Sequence, residues 1–256
     1  MELNYKKIGN GPPLIILHGL FGMLDNWMGI AKKLENDYTV FLVDQRNHGK
    51  SGRSDVFNYQ SMSDDLLEFM NTHEIVSANL IGHSLGGKTI MQFAFDYPEK
   101  VNKLIVADIS PAATENKHEM IINAMLSIDF SKHKTRSEVE KELSKSIRSK
   151  RLLMFLMKNL YWKDRKHLGW KTNLEGVINN IENVGEEIKS DRQYTGPALF
   201  IKGGRSDYIG ISEMHLIKKY FPYSEIKTIK GATHWLHADK PNEFYQLIKE
   251  YLSRMN

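Results

Sequence analysis

The stretch best suited to chemistry is Gly82-His83-Ser84-Leu85-Gly86-Gly87-Lys88-Thr89, which follows the short run Ala78 to Ile81. Its first five residues fit G-x-S-x-G between a strand and a helix, the setting of a nucleophilic serine on a sharp turn. Glycines two residues to either side of Ser84 have a steric purpose, because they let backbone close on a strained turn without Cβ clashes. The Ser84 hydroxyl would then stand above the carboxyl edge of a sheet, at the positive end of the next helix. The same letters fit a rival chemistry. Gly82 followed by Gly87-Lys88-Thr89 reads as G-x-x-x-x-G-K-[ST], a phosphate-cradling loop, with Leu104 to Asp108 as an apolar strand ending in a magnesium-binding aspartate.

Residues elsewhere in the chain favour the serine. Leu17-His18-Gly19-Leu20-Phe21-Gly22 follows an early strand, where an acyl-transfer enzyme needs backbone N–H groups aimed at a developing oxyanion; Leu20 and Leu85 would supply them. His234, in Gly231-Ala232-Thr233-His234-Trp235, follows the last strand and is placed to take the Ser84 proton. A phosphate loop explains neither His18-Gly19 nor His234. Two carboxylates keep the chain order serine, acid, histidine: Asp108 after one strand and Asp207 after the next. Either would orient the imidazole.

These residues need elements to position them. Leu14 to Leu17, Val40 to Val43, Leu80-Ile81 and Leu104 to Ala107 are short apolar runs without polar alternation, as in parallel strands covered on both faces. Helical patterns lie between them at Trp27 to Leu34, Ser63 to Met70 and Leu85 to Tyr97. The order is that of an α/β class with a mostly parallel, doubly wound sheet. After Pro111 the strand signal stops, and helical stripes at Val139, Leu143 and Ile147, at Leu152 to Leu160, and at Leu174 to Val184 take over. Strands resume at Ala198 to Ile201 and Ile226 to Ile229, with a closing helix from Asn242 to Leu252. The expected organisation is a core of residues 1–111 and 191–256 carrying an all-helical lid, 112–190.

Composition sets outer bounds. The chain has 256 residues, 41% of them hydrophobic and 26% charged, which is globular rather than disordered or fibrous. With no cysteine, disulfides, thiolate metal sites and a cysteine nucleophile are excluded. No run approaches the ~20 apolar residues that cross a bilayer, and the first residues carry no signal core, so a cytoplasmic protein is expected. The formal net charge of +4 falls wholly between Ala112 and Ser190, where acids alternate with the bases; that pattern suits a solvated helical face, not nucleic-acid binding.

Spread over nearly the whole core, His18 to Gly22, Leu24-Asp25-Asn26-Trp27, Asp44-Gln45-Arg46-Asn47-His48-Gly49, Gly82 to Lys88, Asp108-Ile109-Ser110-Pro111 and Gly231 to Pro241 together resemble the α/β-hydrolase superfamily, and within it the YbfF-like esterases. The resemblance implies an α/β-hydrolase fold and a cofactor-free serine esterase. It implies Asp108 as the orienting acid with Ser206 as its hydrogen-bond partner, leaving Asp207 as the alternative. Thioesters and carbon–carbon bonds beside a ketone are further substrates for the same machinery. A non-catalytic ligand receptor on the same scaffold is the reading from outside enzymology.

Other polar residues have plainer roles. His18 is expected to bond backbone, His83 to pack under the turn, and Lys88 to meet solvent or the lid. His234 and His237 lack the carboxylate partners of a metal site. Asp44 to Ser51 reads as a tethered loop whose side chains satisfy buried backbone. The run Arg151 to Trp162 packs on the core, but part of it, Phe155, is expected to line an acyl pocket with Phe21 and Trp235.

Overall fold

The computed structural model describes residues 1–115 and 118–254. Strands are β1 (Tyr5–Ile8), β2 (Pro13–Leu17), β3 (Thr39–Val43), β4 (Ala78–His83), β5 (Val101–Ala107), β6 (Leu160–Trp162), β7 (Leu168–Trp170), β8 (Ala198–Gly203) and β9 (Glu225–Ile229). Helices are α1 (Met28–Leu34), α2 (Tyr59–Thr72), α3 (Leu85–Asp96), α4 (Glu119–Leu126), α5 (Arg136–Ser146), α6 (Lys150–Met157), α7 (Leu174–Ile178), α8 (Ile181–Gly185), α9 (Ile211–Tyr220), α10 (Leu236–Asp239) and α11 (Pro241–Ser253).

The main sheet has seven strands in the order β1-β3-β2-β4-β5-β8-β9. All neighbours run parallel except β1 against β3. The unbroken apolar runs have their cause in burial on both faces. In β2, Leu14 and Ile16 join a core with α1 and α11, whereas Ile15 and Leu17 join the larger core with α2 and α3. Parallel pairing places the carboxyl ends of β2, β4, β5 and β8 side by side, so loops far apart in sequence meet along one edge.

Three elements depart from the sequence reading. Strand β1 is an antiparallel edge strand whose Tyr5, Lys6 and Lys7 are exposed, so it lacks the buried-run signature. Helix α9 buries only Ile217 and Tyr220 fully, too little for a clear apolar stripe. The segment between β5 and β8 is not all-helical: β6 and β7 form an antiparallel hairpin within it. The apolar run from Leu152 is cut where α6 ends, and Tyr161 and Trp162, aromatic strand formers, enter the hairpin. Asp164 closes its turn by accepting from the amides of Lys166 (2.7 Å) and His167 (2.9 Å).

Candidate active site

Ser84 sits between β4 and α3 with φ 52° and ψ −114°, a conformation that non-glycine residues adopt only when their surroundings impose it. The surroundings are glycine contacts. A Cβ on Gly82 would lie 2.2 Å from the Gly86 carbonyl oxygen, and one on Gly86 would lie 2.5 Å from that of Leu17. The Ser84 amide donates to the Ala107 carbonyl (3.1 Å) and the Gly86 amide to that of His18 (3.1 Å), which ties the turn to both neighbouring strand ends.

Asp108, just beyond β5, also has positive φ (53°) and is completely buried. Its Oδ1 accepts from the Gly203 amide at 2.6 Å, and its Oδ2 accepts from the Ser206 hydroxyl and from His234 Nδ1, the latter at 2.8 Å. Because a carboxylate only accepts, Nδ1 of His234 carries the proton and Nε2 is left with its lone pair. Asp207 is exposed and lines a separate hollow of about 320 Å³ with Glu115 and Glu213. The histidine is held from several sides. Tyr208 stacks on its ring (centroids 4.0 Å apart), His83 Nε2 donates to its backbone carbonyl at 2.8 Å, and Asp239 accepts from both the amide and the hydroxyl of Thr233. Among the described residues no hydrogen bond joins the Ser84 hydroxyl to His234; in unliganded sites such contacts are often long and tighten on binding.

The loop after β2 faces the same edge. His18 Nδ1 donates to the Gly19 carbonyl (2.8 Å) while its Nε2 accepts from the Gln45 amide (3.0 Å). Burial keeps His18 neutral, with its pKa lowered to about 4, and His48, lowered to about 3, accepts from the Phe21 amide at 3.1 Å. Among the described residues the amides of Leu20 and Leu85 enter no hydrogen bond, and both residues border the Ser84 cavity. A peptide N–H left unpaired in a buried site is a donor in wait of an acceptor.

The polar loop Asp44 to Ser51 is a tether. Asp44 accepts from the amides of Leu24 (2.8 Å) and Lys50 (3.0 Å), Gln45 Nε2 donates to the His18 carbonyl (2.7 Å), and Arg46 forms a two-pronged ion pair with Asp65. Lys88 is buried and donates to the Glu186 carbonyl at 2.5 Å; burial lowers its pKa to about 8. With Lys88 so engaged and Thr89 Oγ1 2.8 Å from Gln45 Oε1, neither reaches toward a bound phosphate as the rival loop requires.

The cavity bordered by Ser84, Tyr59, Lys88, His118 and Tyr208 has a volume of only about 10 Å³. That is room for a single water. A separate cleft of about 450 Å³ is lined by Leu152, Met154, Phe155, Trp235 and His237 with Lys150 and Lys158. Phe155 and Trp235, 4.4 Å apart, thus share this cleft, whereas Phe21 lines neither space and is buried against His118. Sequence reasoning missed Tyr59, Tyr208 and Asn159. Only the last carried a signal, as a lone amide inside an apolar run.

Residues 12–241 match the α/β hydrolase fold family. Over 247 residues the chain is 32% identical to the Escherichia coli esterase YbfF, covering 95% of this chain and 94% of that one. It is 37% identical over 252 residues to the Danio rerio sn-1-specific diacylglycerol lipase ABHD11, covering 95% of this chain and 79% of the relative. Among solved structures, a marine microorganism esterase superposes with a TM-score of 0.96 at 46% identity, covering 98% and 99% of the two chains. The chain therefore belongs to the α/β-hydrolase family and, within it, to the YbfF-like esterases. It is a carboxylesterase-type hydrolase. No helix among the described residues is long and apolar enough to cross a membrane.

Proposed function

We propose that the protein cleaves carboxylic esters of short to medium acyl chains through an acyl-enzyme on Ser84, with His234 as base and Asp108 as the orienting acid. The hydrogen bond between His234 Nδ1 and Asp108 Oδ2 is the observation that carries the reading, because it leaves Nε2 free to accept a proton. Ser84 Oγ attacks the ester carbonyl as His234 takes its proton. The oxyanion that forms is met by the amides of Leu20 and Leu85, an arrangement in which each donor is worth about 10²- to 10³-fold in rate. His234 then protonates the leaving alcohol, and water, deprotonated by the same imidazole, releases the acid and restores Ser84. Thioesters and carbon–carbon bonds next to a ketone fit the same sequence of steps.

Segment 112–190 acts as a lid. A cavity of about 10 Å³ around Ser84 admits no ester, so substrate entry needs that roof to shift. The separate cleft with Phe155 and Trp235 on its wall is the space such a shift would join to the serine for the acyl chain. Reaction with a fluorophosphonate and turnover of p-nitrophenyl esters from acetate to decanoate test the reading together. Ser84→Ala is expected to abolish labelling and to lower kcat by about 10⁶-fold. Labelling or turnover that survives in Ser84→Ala refutes it.

A further inference from the structure

From Gly19 to Gly22 the chain makes a tight turn in which every peptide unit is pinned. The Gly19 carbonyl accepts from His18 Nδ1 and from the Gly22 amide (2.9 Å). Since the peptide is planar and trans, fixing that carbonyl aims the Leu20 N–H in the opposite direction. The next unit is fixed by the Phe21 amide donating to His48. Phe21 itself has φ 58°, which in a bulky residue costs about 1–3 kcal/mol and persists only under external restraint. The third unit is held at its Gly22 amide by Gly19, and its carbonyl is held from the inserted segment, where Asn159 Nδ2 donates to the Phe21 carbonyl at 2.6 Å.

Asn159 is built for that contact. It is completely buried, and its Oδ1 accepts from the Thr172 hydroxyl at 2.8 Å, which sets the amide so that its NH₂ faces Phe21. Its own backbone is fixed too, the amide donating to the Leu156 carbonyl (2.9 Å) and the carbonyl accepting from Lys171 (2.8 Å). The residue therefore joins the end of α6 to the strand-end loop after β2. His18 and His48 belong to the core and stay with it, whereas Asn159 moves with the segment that must shift for substrate to enter.

We infer that Asn159 is a positioning residue that couples the closed position of the inserted segment to the aim of the Leu20 amide, so that the oxyanion donors are complete only when the roof is down. This rests on the serine-hydrolase reading with Leu20 as a donor. A hydrogen bond serving only to satisfy a buried carbonyl would change stability and leave the chemical step alone. A coupling residue acts on the transition state.

The test uses the full chain and a p-nitrophenyl ester, with a trifluoromethyl ketone as a mimic of the tetrahedral adduct. Asn159→Asp, assayed at a pH high enough to ionise its carboxyl, keeps the volume and the Thr172 contact and puts an acceptor where the donor to Phe21 stood. It is expected to lower kcat by about 10²-fold with little change in KM, and to weaken the ketone in the same proportion. Should Asn159→Asp fail to fold, Thr172→Val, which frees the amide to turn, is expected to lower kcat several-fold in the same pattern. A folded Asn159→Asp, or in its place Thr172→Val, with unaltered kcat and ketone affinity overturns the inference. Ser84→Ala separates the two levels: if it is inert while the Asn159 and Thr172 variants match the parent, only the coupling falls, and if it remains active, the serine reading falls and takes the coupling with it.

Discussion

The floor and the roof of the active site are made differently. The floor is the carboxyl edge of the sheet, where Ser84 and Asp108 hold positive φ and Asp108 is completely buried with both carboxylate oxygens paired. The proposed roof, the described residues of segment 112–190, is built of short helices and one hairpin, and it leaves Met120, Leu126, Met154 and Trp162 largely exposed. Many polar links hold the two together, among them Tyr59 Oη to the Val184 carbonyl (2.7 Å), Lys88 to that of Glu186, Asn159 to that of Phe21, the Asn173 amide to that of Asn47, Asn180 and Asn183 to those of Asp55 and Phe57, and the ion pair of Arg151 with Asp239. The two parts divide the labour. On the reading proposed above, strain at the reacting groups needs a rigid, close-packed base to impose it, whereas admission of substrate needs a surface that can part.

The floor should answer to single atoms. Replacing Asp108 by Asn keeps shape and tolerates the positive φ, yet lets the imidazole adopt the wrong tautomer, so kcat is expected to drop by about 10⁴-fold. Asp207→Asn, in the exposed loop, should lose less than twofold. The reverse ranking, read from steady-state rates, would move the acid off the floor and break the comparison.

The roof should answer in selectivity. Phe155→Ala and Trp235→Ala open the wall of the larger cleft, and are expected to shift the best p-nitrophenyl ester toward longer chains by a few carbons while kcat on acetate changes less than tenfold. An unaltered chain-length profile would detach that cleft from the substrate.

The smallest effect concerns pH. His237 stacks flat on Trp27 (centroids 4.2 Å apart), its Nδ1 has no partner, and burial lowers its pKa from 6.5 to about 3. His48 is likewise held near 3. Below pH 6.5 the unfolded chain takes up protons that the folded one refuses, so stability falls as pH drops from 6.5 toward 3 and is level above that window. His237→Phe keeps the stacking and removes one titrating, unpartnered group. Its melting temperature should exceed the parent's by the equivalent of about 1 kcal/mol at pH 7, with a shallower decline in acid. A steeper decline would show that the imidazole is paid for by a contact that only it can make.

Much of the floor was legible because local chemistry dictates it. G-x-S-x-G can close only with glycine where a Cβ would meet backbone at 2.2 and 2.5 Å, and unbroken apolar runs can be covered only inside a parallel sheet. Glycine spacing, run length and chain order thus determined the fold class, the serine turn and the histidine loop. The choice between Asp108 and Asp207 was different, since both follow a strand in the right order. Only the packed structure decides which carboxylate meets Nδ1, because that depends on the register of β5 against β8 and on Gly203 and Ser206 converging on one side chain. The roof was least legible. Its helical stripes were readable at α5 and α6, but the apolar run of α6 continues into Leu160 to Trp162, so a hairpin passed for helix, and Asn159 gained its meaning only from a carbonyl far away in sequence. Local sterics are written residue by residue; a contact between distant segments exists only once both have been folded against the same core.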